Sequence, residues 1–223
     1  MGKIIEKTSI SRGHNIVCII DNNNWNKGKL NNADVAIEFT SPENAVDNII
    51  KCFDSSVPVV VGTTGWYDEY DKVINKCKEN DASILSATNF SIGVNIFFEI
   101  NRKLAKLLNK QNDYNAEVSE THHIHKLDSP SGTAITIADD IINNVNRYNK
   151  WSENDVIADN ILPIIAKREA EVPGTHQVKY SSDIDEITIS HKAKNREGFA
   201  LGAVIAAEFI QDKKGVFTMQ DVI

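Results

Sequence analysis

The chain has 223 residues, 41% of them hydrophobic and 25% charged, with a formal net charge of -7. That length and apolar fraction support a core for one large domain or two small ones and exclude a disordered chain. The acidic balance argues against nucleic acid as a partner, since that affinity comes from clustered Lys and Arg, and no run approaches the roughly 18 apolar residues of a membrane span.

Ile4 to Ser11 has the pattern of a short helix closed by Arg12-Gly13, where glycine suits a left-handed cap. "NIVCIID", Asn15 to Asp21, is an apolar run closed by an acid, which fits a strand buried on both faces. Val35 to Phe39 reads as the next strand, followed by a Thr-Ser-Pro turn and a helix with Pro42 in its first turn. "VPVVVGTTGW" and "ASILSATNFSIGVN" each hold a further strand, with a helix from Asp68 to Glu79 between them. Strands alternating with helices at this spacing predict a doubly wound parallel sheet.

Beyond residue 91 the pattern changes. A helix from Gly93 to Asn109 leads to a strand through "NAEVSETHH" and a helix from Gly132 to Tyr148. Two or three longer strands follow, the first a mostly apolar one from Val156 to Ala166, and a helix rich in small residues ends the chain. The expectation is a Rossmann-like α/β domain, residues 1–91 and 203–223, and a second α+β domain, residues 92–202, with a mixed, mostly antiparallel sheet.

Cys18, Cys52 and Cys77 are far apart and in no CxxC spacing, so reduced thiols and neither a disulfide framework nor a thiolate metal site are expected. The first thirty residues carry charges throughout and offer no signal-peptide core. A cytoplasmic location is expected.

In a doubly wound sheet ligands sit at the carboxyl ends of the strands. Asp21 there suits the two hydroxyls of an adenosine ribose, although a solvated loop acid reads the same way. Gly62-Thr63-Thr64 lets a backbone pass close to a flat ligand or forms a plain tight turn, and Asn89-Phe90 is equally open. The stretch "ETHHIHKLDSPSGTA", Glu120 to Ala134, is more specific. Pro130-Ser131-Gly132-Thr133 opens a helix, with Ser131 or Ser129 as cap, so backbone N–H groups and the helix dipole favour an anion, and Lys126 adds a positive charge. A carboxylate is the natural ligand. His122, His123 and His125 cannot all face one metal from a strand, so no metal centre is expected, and a histidine exchanging a proton near neutral pH is the better use. For His125 a structural place at a sheet edge stays open.

"EVSETHHIHKLDSPSGTA", Glu117 to Ala134, resembles the signature of the 4-hydroxy-tetrahydrodipicolinate reductases, also called dihydrodipicolinate reductases, of lysine and diaminopimelate biosynthesis. "EFTSPENAV", "VVVGTTGW", "NFSIGVN", "VPGTHQV", "ITISHKAKNREGFALGAVIAA" and "GVFTMQDV" extend the resemblance over nearly the whole chain. It implies hydride transfer from NADH or NADPH to a cyclic imine dicarboxylate, with His122 as the proton donor and Lys126 steadying negative charge. His123, Gly132 and Thr133, with Lys126, would hold the substrate carboxylate. Gly62, Thr63, Thr64, Ala87, Thr88, Asn89 and Phe90 would line the nicotinamide side, and Asp21 would hold the adenosine ribose. An acid there repels a 2′-phosphate, and no Arg follows it, so NADH is favoured. The resemblance also implies a cytoplasmic homotetramer built through the sheet of the second domain.

The family's first strand and glycine-rich turn are not in the sequence: Met1-Gly2-Lys3 matches the far end of that fingerprint, leaving Gly2 as its one cofactor-side residue. The expectation is a start at an internal methionine, and for the chain as it stands a weakened cofactor site and a marginal first domain. The alternatives to a reductase are a non-catalytic ligand-binding or assembly chain and a histidine-ligated metal hydrolase, which cofactor binding and metal analysis would separate.

Overall fold

The computed structural model describes residues 1–21, 25–126, 128–153 and 158–223. The chain forms two compact units, Met1–Ile92 with Glu197–Ile223, and Gly93–Arg196. In chain order the elements are α1 (Gly2–Ser11), β1 (Ala36–Glu38), α2 (Pro42–Asp54), β2 (Val59–Val61), α3 (Tyr70–Glu79), β3 (Ser83–Ser86) and α4 (Ile92–Leu108). Then come β4 (Asn115–His122), α5 (Gly132–Ile142), β5 (Lys150–Glu153), β6 (Ile161–Arg168), β7 (Thr175–Ser181) and β8 (Glu186–Lys192). The chain returns to the first unit through α6 (Glu197–Ile210) and ends on β9 (Gly215–Phe217) and a short 3₁₀ turn.

The first unit is a doubly wound sheet, β1-β2-β3-β9, parallel throughout. Its strands are apolar at consecutive positions because both faces are covered. Val59, Val61 and Ile84 join the cluster under α2 and α3, whereas Val60 and Leu85, one residue out of phase, join the cluster under α1 and α6. Each of these side chains is fully buried, which stabilises the unit by about 1.5 kcal/mol or more apiece. α2 follows from its periodicity: Pro42 sits in the first turn, and Ala45, Ile49, Cys52 and Phe53 form the buried stripe. Arg12 and His14, just past α1, both reach Glu208 of α6 at 2.7 Å.

The second unit is a five-stranded mixed sheet, β5-β6-β4-β7-β8, with β4 parallel to β6 and antiparallel to β7. One face is dry. Ala116 and Val118 of β4, Leu162 and Ile164 of β6, and Val178 and Tyr180 of β7 pack against Phe97, Phe98 and Ala105 of α4 and Ile137 and Ile141 of α5. The Asn101 amide donates to the Ile137 carbonyl at 3.1 Å and Arg102 donates to Asp140 at 3.1 Å, tying the two helices together.

Several elements differ from the sequence expectations. Residues 15–21 form no strand, and Ile16, Val17 and Ile19 are exposed. An apolar run becomes a buried strand only where a neighbouring strand accepts its backbone hydrogen bonds, and β1 pairs with β2 alone. The return to the first unit comes at Glu197, where α6 starts, and not at residue 203. α5 stops at Ile142, well before Tyr148, because Asn143-Asn144 breaks the pattern and the Asn144 amide turns back onto the Asp140 carbonyl. Of the strand expected from Val156 to Ala166, Val156 and Ile157 lie outside the described residues, and the ladder begins at Ile161.

Candidate active site

In β4 the inward positions are Ala116, Val118, Glu120 and His122, so the alternation that builds the core also carries a carboxylate and an imidazole inward at the strand's end. The register sets Glu120 opposite His176 of β7, and His176 opposite His191 of β8. Glu120 is 1% exposed, His122 7% and His176 5%. Glu120 Oε2 lies 3.3 Å from His122 Nδ1 and 3.6 Å from His176 Nε2. Oε1, the other oxygen, accepts the backbone N–H of Ser131 at 3.0 Å and faces both terminal nitrogens of Arg168 at 3.4 Å. Burial pushes the Glu120 carboxyl up, but the bonds offered by His122, His176 and Ser131 outweigh it and hold the carboxyl well below its usual range. Burial pushes the His176 imidazole down despite the nearby carboxylate. A carboxylate buried among neutral and cationic donors results.

The ligand atoms of Glu120, His122 and His176 lie within 4.8 Å of one another, close enough to share a cation. Arg168 sets a fixed positive charge against the same carboxylate. Gly174 keeps the cluster open: a Cβ there would come within 3.1 Å of His122 Nε2.

α5 begins beside this cluster. Ser131 caps it, its Oγ accepting the Ala134 N–H at 3.2 Å while lying 3.2 Å from His176 Nε2. Gly132, the first helical residue, is exposed with open space where a side chain would stand, and Thr133 is half-buried. The positive end of the helix therefore faces outward next to the imidazoles. Lys126 Nζ donates to both oxygens of Asp128, at 2.7 and 2.8 Å, so a ligand carboxylate would compete with an internal one for that cation. His123 is half-buried with Nδ1 lacking a partner, whereas His125 is exposed and 3.3 Å from Glu171.

The residues expected on the cofactor side lie at the carboxyl ends of β2 and β3. Gly62 is required by close packing, since a Cβ would meet the Phe39 ring at 2.1 Å. Thr63 is buried: its hydroxyl accepts the Thr40 N–H at 2.7 Å and its carbonyl accepts the Trp66 indole N–H at 2.8 Å, which braces the loops after β1 and β2 against each other. Thr64 and Thr88 are exposed, Ala87 is half-buried, Asn89 and Phe90 are buried, and the Asn89 side-chain oxygen accepts the Ser91 N–H at 2.9 Å. These loops fit a flat ring held by backbone groups. Gly2 starts α1 on an exposed end, and Asp21 is exposed and in no ladder.

Three residues of the cluster escaped sequence reasoning as functional: Glu120, Arg168 and His176. The available signal was an acid and a histidine at inward strand positions otherwise taken by Val118 and Val178.

A doubly wound parallel unit followed by an α+β unit with a buried acid–base cluster defines the class: a two-unit α/β oxidoreductase with a nicotinamide-binding first unit. Comparisons with known proteins narrow this. The family model "Dihydrodipicolinate reductase, N-terminus" matches residues 1–90, and "Dihydrodipicolinate reductase, C-terminus" matches residues 93–223. The 4-hydroxy-tetrahydrodipicolinate reductase of Christiangramia forsetii is 50% identical over 225 aligned positions, which cover 100% of this chain and 93% of the relative. That of Methanopyrus kandleri is 36% identical over 197, covering 86% of this chain and 71% of the relative. The dipicolinate-bound dihydrodipicolinate reductase of Paenisporosarcina sp. TG-14 shares the fold, with a TM-score of 0.78 at 21% identity over 100% of this chain and 95% of that one. The chain belongs to the dihydrodipicolinate reductase family.

Proposed function

We propose that the chain reduces 4-hydroxy-tetrahydrodipicolinate to tetrahydrodipicolinate with NADH or NADPH, in lysine and diaminopimelate biosynthesis. The observation that carries this reading is His122, held at the end of β4 beside the N-terminus of α5 and close in sequence to Lys126. A bound reduced nicotinamide supplies the hydride, and Gly62, Thr63, Thr64, Ala87, Thr88, Asn89 and Phe90 are the residues that would hold it. His122 delivers the proton through Nε2, the nitrogen turned away from Glu120. His123, Gly132 and Thr133 bind a substrate carboxylate. Lys126 exchanges Asp128 for the substrate and steadies the charge that builds on the ring.

Asp21 supports a preference for NADH, because a carboxylate repels a 2′-phosphate. The half-buried apolar side chains on the outer face of β6, Ile161, Pro163 and Ile165, support assembly as a homotetramer through the second unit. The three free cysteines and the use of NADH or NADPH support a cytoplasmic setting; among the described residues no helix is long and apolar enough to cross a membrane.

The test is steady-state turnover with each cofactor, for wild type, His122→Gln and Lys126→Met. The expected result is a kcat loss of about 10²- to 10⁴-fold for H122Q, a raised substrate KM for K126M, and a lower KM for NADH than for NADPH. Undiminished turnover by H122Q would overturn the assignment of the proton donor. A clear advantage for NADPH would overturn the cofactor preference.

A further inference from the structure

Glu120, 1% exposed, touches Ser131, Arg168, His122 and His176. On one side its Oε1 accepts the N–H of Ser131, the cap of α5, and faces Arg168, whose Nη2 also donates to the Asp128 carbonyl at 2.6 Å. Its Oε2 turns the other way, 3.3 Å from His122 Nδ1. Neither of those two buried atoms has another hydrogen-bond partner, and the pair itself falls outside good hydrogen-bond geometry. A buried carboxylate oxygen left without a bond is costly. The nearest group able to relieve it is a proton on His122 Nδ1.

We propose that Glu120 is a positioning residue for the proton donor: its carboxylate holds His122 in the Nδ1–H form, leaving Nε2 as the exchanging nitrogen, and through Ser131 it fixes that ring relative to the N-terminus of α5. The proposal rests on the reading of His122 as donor and deepens it. The carboxylate accepts the Nδ1 proton whether or not Nε2 carries one, so the ring keeps its orientation as Nε2 exchanges. The groups facing His122 and its partners are Glu120 from β4, Arg168 from β6, His176 from β7 with His191 behind it on β8, and Lys126 and Asp128 from the loop before α5. Arg168 opposes the imidazolium, and His176, kept neutral by burial, does not. Arg168 faces the far oxygen and is shared with the Asp128 carbonyl, which leaves Oε2 to the two histidines, His122 at 3.3 Å and His176 Nε2 farther off at 3.6 Å. The same carboxylate bonds the cap of the helix that receives the substrate carboxylate, so proton donor and carboxylate cradle move as one piece.

The experiment is a long-range ¹⁵N–¹H correlation spectrum of the histidine rings in the whole protein from pH 5 to 9, for wild type, Glu120→Gln and His122→Gln, with kcat measured over the same range. H122Q assigns the resonances. The expected wild-type signature at high pH is His122 protonated on Nδ1. In E120Q the side-chain amide donates to that nitrogen and the proton moves to Nε2. At the same time kcat falls about 10- to 100-fold while KM changes less than about threefold. A merely structural Glu120 would lower the melting temperature of E120Q and leave the tautomer in place, which would overturn the proposal. If E120Q does not fold, the wild-type spectrum still decides, because His122 protonated on Nε2 is incompatible with the proposal. The two readings fail separately: unchanged turnover by H122Q sinks the proton donor, whereas an inactive H122Q beside an E120Q with an unmoved tautomer sinks only Glu120.

Discussion

Gly202 in α6 is the position where one methyl group should unseat a whole layer. A Cβ built there would lie 1.7 Å from the carbonyl oxygen of Phe90 and 2.7 Å from its carbonyl carbon, where ordinary contact begins near 3.4 Å. Both atoms are backbone, so no side chain can swing away. Gly202→Ala must lift α6 from the sheet by more than about 1 Å, and at such a gap packed atoms lose a quarter to half of their attraction. The side chains concerned are Ala203, Val204, Ala206, Ala207 and Ile210, buried against Val60 and Leu85. Overpacking of this kind costs about 1–3 kcal/mol where side chains can yield and more where backbone is struck, offset by about 1 kcal/mol of helix propensity. The net expectation is about 3 kcal/mol lost from the first unit. Gly198→Ala in the same helix is the control, because its Cβ would meet only Ser91 Oγ at 3.7 Å; it should gain about 0.5 kcal/mol. Urea unfolding followed by tryptophan fluorescence measures both, with Trp151 replaced by Phe so that Trp25 and Trp66 of the first unit give the signal. The midpoint should fall by more than about 1 M for G202A and rise slightly for G198A. Equal effects of the two substitutions would refute the close approach of α6 to the Phe90 backbone.

Two further predictions concern the first unit. Burial pushes the Cys52 thiol up to about 12 and raises that of Cys77, whereas Cys18 is only half-buried in residues 15–21, so a disulfide reagent at pH 8 should modify one thiol quickly and the other two only on unfolding; three equally fast thiols would mean that the α2 and α3 layer is not packed. The Arg12 guanidinium, more than the opposing burial, holds the Glu208 carboxyl down to about 2. A carboxyl lowered on folding adds stability that is complete above its unfolded value near 4.5 and disappears as pH falls through about 2. The difference in urea midpoint between wild type and Glu208→Gln should therefore shrink from pH 5 to pH 2.5, and a constant difference would show that the Arg12 pair does not hold α1 to α6.

Periodicity and turn chemistry were legible in the residues alone. The consecutive valines of β2, Pro42 opening α2 and the Ser131-Gly132 start of α5 announce a parallel sheet and two helix N-termini, because each depends on contacts within a few residues. The signature around His122 carried the family in the same local way. What depended on distant partners was not legible. "NIVCIID" has the composition of a buried strand, yet its backbone groups find no ladder, since β1 pairs only with β2. Residues 215–217 form a strand only because β3 lies alongside. Glu120 looked like one acid in a polar run. The register of β4 against β7, set by side chains all along both strands, places His176 opposite it, and that pairing across 56 positions sets a buried carboxylate beside two imidazoles. Local sequence determined the helix starts and the residues each element carries; only the tertiary pairing decided which apolar runs become strands and which charges share a dry face, because burial and mutual distance, not residue type, set the protonation of a carboxylate and an imidazole.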